Sequence, residues 1–283
     1  GRLADLVSGG KLSPVERARA GDALGRLGDP RFRADAWHLP DEPLLGFVEV
    51  RAGPFRMGSD KRKDSLAFDD ETPQHKVSLP TFYIARFPTT VAQFRAFAED
   101  SGFKLGDADC LRGIANHPVV LVSWHEASKY CEWLTAKLRG WDRTPEPLRS
   151  LLRSGKDGGT PWTVTLPSDE EWEKTARGTD GRVYPWGNDP DPNRANYDDT
   201  RIGTTSGVGC FPGGRSPYEV EEMSGNVWEW TRSAMGKDRV LRGGSFWDLL
   251  QLVRCADRLR LHPHNWSGGS GFRVVLSPFN SGL

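Results

Sequence analysis

A chain of 283 residues makes one large domain or two small ones, because single cores stop growing near roughly 250–300 residues. Its 38 basic residues balance its 38 acidic ones, so no global field draws it onto nucleic acid or an anionic membrane. The composition is that of a globular chain, and no apolar run approaches the roughly 20 residues that span a bilayer.

The start does not read as a signal peptide, so a soluble, cytoplasmic protein is expected. Its first residue is Gly, which points to a chain that continues upstream. The four cysteines, Cys110, Cys131, Cys210 and Cys255, stand no closer than 21 positions apart. That is neither a zinc spacing nor the density of a disulfide-stapled scaffold, and they read as free, mostly buried thiols.

Residues 1–40 read as a helical segment. Ser13-Pro14-Val15-Glu16 is a capping box with Pro at the first helical position, and the helix should stop at Gly28. One helix of this length has to lay its apolar stripe on the main body or on a lost neighbour. It resembles the short helical segments placed before domains of the family named below, and it also reads as a plain linker.

From Gly46 the texture changes. Phe47–Val50 and Phe55–Met57 predict short strands around a turn at Ala52-Gly53-Pro54. Lys61 to Gln74 is a charged loop, followed by strands at Lys76–Leu79 and Phe82–Ala85. Thr90, Ser123 and Ser168 cap helices expected over Val91–Ser101, Trp124–Leu138 and Asp169–Arg177. Beyond Gly178 the helical signal ends, and turns, single Trp residues and short strands take over.

The motifs then fall in a definite order. Met57-Gly58-Ser59 precedes His117-Pro118-Val119 with Val122-Ser123-Trp124, and then Leu166-Pro167-Ser168-Asp169-Glu170-Glu171-Trp172-Glu173. Tyr184-Pro185-Trp186-Gly187-Asn188 follows, then Met223-Ser224-Gly225-Asn226-Val227-Trp228-Glu229-Trp230, Arg242-Gly243-Gly244-Ser245 and Gly271-Phe272-Arg273. This order resembles the formylglycine-generating enzyme (sulfatase-modifying factor) family over residues 46–278. The resemblance implies an α+β, C-type-lectin-like fold with few helices, short antiparallel strands and many loops, as a single domain over 41–283. Trp124, Trp172, Trp186, Trp228 and Trp230 read as core rings.

The family's enzymes activate oxygen with copper held by two cysteines shortly after the Gly-Gly-Ser motif, where soft thiolates suit cuprous ion. Here only Cys255 follows, in an Arg-Cys-Ala context that matches a non-catalytic cysteine of the family. One thiol does not make a dithiol site, and the family pattern does not bring Cys210 there, so no catalytic residue is expected. The resemblance also implies structural calcium. One set would use Asn196 and Asp199 with the carbonyls of Tyr197 and Arg201; the other would use Glu222 and Glu229 with the carbonyls of Gly225 and Val227. Solvated or backbone-bonded acids are the alternative at both.

The stretch of about 242–275 separates into a frame and its fillers. The frame is Arg254-Cys255-Ala256, Arg258, Arg260, Pro263, Trp266 and Gly271-Phe272-Arg273, with Trp247 and Gln251. The fillers are Asp248, Leu249, Leu250, Leu252, Asp257, Leu259, Leu261, His262, His264, Asn265, Ser267, Gly268, Gly269 and Ser270. This layout resembles the variable region of proteins diversified by retroelements, in which adenines of asparagine-type codons are randomised. That scheme does not reach Lys, Glu, Gln, Met or Trp, and none of the fourteen fillers is one of these.

On one reading the leucines are displayed as an apolar patch with a polar rim, held by arginines bonded to backbone and carboxylates. On the other, alternation in Leu259-Arg260-Leu261 makes them core-facing strand positions. His262 and His264 lack a nearby third ligand and have Pro263 between them, so a metal pair is disfavoured. The expected function is ligand binding, with a protein as partner and neither nucleic acid nor membrane involved. Alternatives are a copper oxidase of the family type and a fixed sensor module reporting to an upstream effector domain.

Overall fold

The computed structural model describes residues 2–154 and 161–278. It opens with α1 (Arg2–Ser8) and α2 (Pro14–Leu27). The capping box closes as expected: Ser13 N donates to Glu16 Oε2 at 2.9 Å, and Glu16 N donates to Ser13 Oγ at 3.5 Å. Two glycines one turn apart let α2 lie close on the body. A Cβ on Gly21 would stand 2.6 Å from Cys210 Sγ, and one on Gly25 would stand 2.1 Å from Asn116 Oδ1. Arg17 Nε donates to the Cys210 carbonyl at 2.7 Å, and His117 meets Asp22 at 2.9 Å. The N-terminal segment therefore packs on the main body. A small hairpin, β1 (Phe32–Arg33) and β2 (Leu39–Pro40), completes it.

The body begins with β3 (Phe47–Val50), the hairpin of β4 (Gly53–Met57) and β5 (His75–Leu79), and β6 (Phe82–Ala85). Then come α3 (Val91–Ser101), α4 (Trp124–Gly140), α5 (Leu148–Arg153), β7 (Thr163–Thr165) and α6 (Asp169–Arg177). The last third holds β8 (Trp228–Met235), β9 (Asp238–Arg242), β10 (Leu259–Leu261), β11 (Ser270–Gly271) and β12 (Val275–Ser277). The Thr90–Gln93, Ser123–Glu126 and Ser168–Glu171 capping boxes all form, so α3, α4 and α6 start where side chains satisfy their first free N–H groups. Helix α4 runs two residues past Leu138, and α5 was not expected.

Two four-stranded sheets carry the domain, in the orders β3-β6-β12-β7 and β10-β9-β8-β11. In the first, the last described strand lies inside the sheet, with Val275 opposite Ile84 on one side and Thr165 on the other. In the second, β11 runs parallel to β8 while the other pairs are antiparallel. The main core lies between α3, α4 and both sheets, where Phe94, Phe97, Tyr130 and Phe272 pack ring to ring at 5.3–6.1 Å. Each such ring contributes roughly 1.5–3 kcal/mol by burial. Trp124, Trp172, Trp228 and Trp230 are buried as expected; Trp186 is half-buried and stacks on Tyr184 at 5.2 Å.

Candidate ligand-binding site

Strand β9 ends at Arg242, whose guanidinium is fully buried. Its Nη1 donates to the carbonyls of Asp257 at 2.7 Å and Cys255 at 3.1 Å, and the group ion-pairs with Asp169 and Glu173 of α6. Gly243 and Gly244 then turn the chain at φ of 99° and 72°, where a Cβ on Gly244 would stand 2.6 Å from Val253 Cγ1. Arg254, also buried, reaches Asp64 at 2.7 Å and Glu71 at 2.5 Å, both on the charged loop before β5. Arg258 holds Asp169 at 2.9 Å and the Asp70 carbonyl at 3.1 Å, and Arg260 holds the Asp70 carboxylate at 3.1 Å. The two buried cations, Arg242 and Arg254, each have carboxylates and carbonyls around them, which is the condition under which buried charge is tolerated. Four arginines thus clamp the C-terminal loops to α6 and to the 60–71 loop.

Between these loops lies a cleft of about 530 Å³. Phe68 and Trp247 stand at its mouth, 40% and 51% exposed, above Trp228, Leu252, Leu259 and Leu261. Asp70, Asp248, Asp257 and Arg258 supply its charge, with Ser267 and Ser270 beside them. Asp248 is held by Trp228 Nε1 at 2.8 Å and by Ser245 N at 2.8 Å, which fixes the turn that carries Trp247.

Among the fillers, Leu249, His262, His264 and Asn265 are exposed, and Asp248, Ser267 and Gly268 are half-buried. Leu252, Leu259 and Leu261 pack on the main core and also line the cleft, so they are strand-and-core residues on one side and cleft wall on the other. Leu250 turns instead to the Tyr184–Trp186 cluster. Three fillers depart from the expected display. Asp257 is 3% exposed and Ser270 is 1% exposed. Gly269 is buried because Trp247 lies over it: an added Cβ would meet Trp247 Cζ2 at 2.5 Å. The Asp257 carboxyl lies 3.8 Å from Arg254 Nη2, but its Oδ2 has no hydrogen-bond partner among the described residues. Burial and the neighbouring Glu71 carboxylate push its pKa up to about 7.

A third imidazole joins the histidine pair. His125, in the first turn of α4, packs on His264 at 4.4 Å, and His264 stacks on His262 at 5.2 Å. Sequence reasoning missed His125 because nothing local links it to that loop. Among the described residues no three such side chains are placed to hold a metal ion.

Of the residues expected to hold calcium, Asn196 Oδ1 and Glu222 Oε2 are buried with no hydrogen-bond partner among the described residues. Asn196 is buried, with Nδ2 donating to the Thr204 carbonyl at 2.9 Å, while Asp199 and Arg201 are exposed and the Tyr197 carbonyl accepts from Thr200 N at 2.9 Å. That set is split between interior and surface. In the second, the Gly225 carbonyl accepts from Val227 N at 2.9 Å, and Glu222 accepts from Gly209 N at 2.7 Å. Burial and the neighbouring Glu221 push the Glu222 pKa up to about 8. Glu229 already has its cation: Arg273 grips it in bidentate fashion at 2.6 and 2.7 Å.

The thiols do not make a copper site. Cys255 is fully buried among Trp172, Ile84 and Val275, and burial pushes its pKa up to about 12. Cys210 belongs to a different cluster, with Val7, Leu24 and Phe211. No second thiol shares the Cys255 pocket, so a dithiolate cannot form there.

A family model described as the sulfatase-modifying factor enzyme 1-like domain matches residues 34–278. The chain belongs to this family. It is 27% identical to the formylglycine-generating enzyme of Mus musculus, over 94% of this chain and 82% of that protein. It is 28% identical to the inactive C-alpha-formylglycine-generating enzyme 2 of Bos taurus, over 84% of this chain and 90% of that protein. Against the serine/threonine-protein kinase pkn1 of Chlamydia pneumoniae the identity is 29% over 83% of this chain, which spans only 38% of the kinase.

Two solved structures share the fold. PvdO from Pseudomonas aeruginosa superposes with a TM-score of 0.67 at 24% identity, covering 81% of this chain and 93% of that one. Treponema denticola variable protein 1 superposes at 0.60 and 20% identity, covering 81% and 94%. The fold is therefore the α+β, C-type-lectin-like fold of the formylglycine-generating type. Among the described residues no helix is long and apolar enough to cross a membrane.

Proposed function

We propose that this chain is a non-catalytic binding protein whose C-terminal face holds a protein ligand, with residues of that face diversified by a retroelement. The observation that carries the reading is the cleft itself: seven of the fourteen filler positions line it, over a frame of buried arginines that fixes the loops. A rigid frame under changeable walls suits a face that must alter its ligand without unfolding. Trp247, Leu249 and Trp266 are large apolar residues left exposed on this segment, at 51%, 63% and 47%. Exposed aromatics beside polar groups are the composition of protein-recognition surfaces. The isolated Cys255 and the existence of an inactive relative support a binding role over oxidation. Four unpaired, buried thiols support a reducing, cytoplasmic setting.

The test is to sequence the 3′ end of the gene and the DNA just beyond it across a cultured population. Differences should cluster in the codons of the fourteen fillers between 248 and 270, the seven that line the cleft included, spare Arg242, Arg254, Arg258 and Trp228, and be matched by a near-copy with adenines at those codons. An invariant segment without a copy overturns the diversified reading. A second reading, a fixed binding module within a longer chain, is favoured by the Chlamydia pneumoniae kinase, of which the match covers 38%. An effector domain in the same reading frame, with an invariant C-terminal segment, would select it.

A further inference from the structure

We propose that the cleft receives the side chain of a lysine or arginine displayed by the protein partner, a specificity that rests on the binding role above. Three carboxylates line the cleft, Asp70, Asp248 and Asp257, against a single cation, Arg258. That cation is already engaged, by Asp169 at 2.9 Å and Glu173 at 3.7 Å, and Asp70 is paired with Arg260 at 3.1 Å, so the excess negative charge of the cleft rests on Asp248 and Asp257. Asp257 decides the sign. Its residue is 3% exposed and its Oδ2 has no hydrogen-bond partner, and a buried carboxylate in that state is costly. Arg254 and Arg242 have their closest pairs with Glu71, Asp64, Glu173 and Asp169, and the nearer approach to Asp257, Arg254 Nη2 at 3.8 Å, leaves Oδ2 without a hydrogen bond. A ligand ammonium or guanidinium supplies the missing counter-charge.

The walls fit the rest of such a side chain. Leu259 and Leu261 offer apolar surface to a methylene stem, and Phe68 and Trp247 put aromatic rings at the mouth, against which the same stem packs. An acidic ligand would meet like charge at Asp248 and, above pH 7, at Asp257. A purely apolar ligand would bury Asp257 further without pairing it.

The test uses the whole chain, ¹⁵N-labelled, titrated at pH 8 with the peptide acetyl-Gly-Lys-Gly-amide and with its norleucine counterpart, which keeps the stem and lacks the charge. The indole N–H resonances of Trp247 and Trp228 report on the cleft. The lysine peptide is expected to shift them saturably, at least fivefold more tightly than norleucine. Asp257→Asn should weaken the lysine peptide about tenfold and leave norleucine unchanged. Lysine affinity should also fall from pH 8 to pH 6 as Asp257 takes up a proton among Glu71, Asp70, Arg254 and Arg242, the charged groups around it.

Trp247→Ala should weaken the lysine peptide in a chain whose remaining resonances stay in place, so the outcome does not depend on one variant. Equal binding of the two peptides, no effect of Asp257→Asn on their ratio, or no shift with either peptide would overturn the inference. Equal binding leaves the ligand-binding role standing, and population invariance at the gene's 3′ end removes diversification without touching this titration. The two failures are therefore separable.

Discussion

Asp257 should be a residue the protein folds in spite of. Its carboxyl is buried, Oδ2 is unpartnered, and Arg254 Nη2 is 3.8 Å from Oδ1. Burial, with Glu71 adding to it, raises its pKa from the ordinary 3.8 to about 7. Between these values the folded chain keeps a proton that the unfolded chain has released. Stability contributed by this group therefore falls as pH rises, by about 1.4 kcal/mol per pH unit. The window of about three units corresponds to a loss of about 4 kcal/mol that is complete above pH 7.

Asn has the same shape and stays neutral. Asp257→Asn is expected to stabilise the protein by up to about 4 kcal/mol at pH 8, with the gain shrinking towards zero near pH 4. Urea unfolding of both chains, followed by tryptophan fluorescence at intervals from pH 4 to pH 8, gives the difference directly, and every other titrating group common to the two chains cancels. A difference that does not change with pH, or a variant less stable than the parent at pH 8, would refute the reasoning. A residue that costs stability above neutral pH is the kind kept for binding, which is why the same substitution serves in the peptide titration.

Other expectations follow from the same geometry. Arg273→Met leaves the Glu229 carboxylate buried without its bidentate partner and removes donors to the carbonyls of Ala85, Arg86, Glu221 and Glu222. It should cost about 3–5 kcal/mol in urea unfolding. Gly269→Val should drive Trp247 off the 268–269 turn, seen as a red shift of tryptophan emission with a loss of roughly 1–3 kcal/mol. The thiols of Cys110, Cys131, Cys210 and Cys255 are at most 3% exposed, and none should react with an aromatic disulfide reagent until the chain unfolds. Because Arg273 occupies Glu229, millimolar calcium or its removal by chelator should move Tm by less than about 1 °C.

What the sequence determined by itself was chemistry within a few residues. Ser13 with Glu16, Thr90 with Gln93, Ser123 with Glu126 and Ser168 with Glu171 set the helix starts, because a cap and its partner lie within one turn. Short apolar runs beside turns marked β3 and β6. The lack of a second cysteine beside Cys255 is likewise a statement about the chain alone. Contacts across the fold were beyond it.

Arg254 meets Glu71 across 183 positions, and this contact turns the charged loop into a cleft wall bearing Phe68 and Asp70. Arg273 meets Glu229 across 44 positions and pairs a carboxylate that the family resemblance offers as a calcium ligand. His125 reaches His264 only because the loop after β10 crosses the start of α4, with Trp124 N donating to the Pro263 carbonyl at 3.2 Å. The display of the fillers was decided the same way. Leu259 and Leu261 alternate as a strand does, but whether that strand faces core or solvent depends on β9 behind it and the loops above it. The burial of Asp257, Gly269 and Ser270 comes from Arg242, Arg254, Trp247 and Trp228, whose positions are set by sheet order. Local signals act over one helical turn or one strand; burial, ion pairing and pKa depend on what the rest of the chain brings alongside.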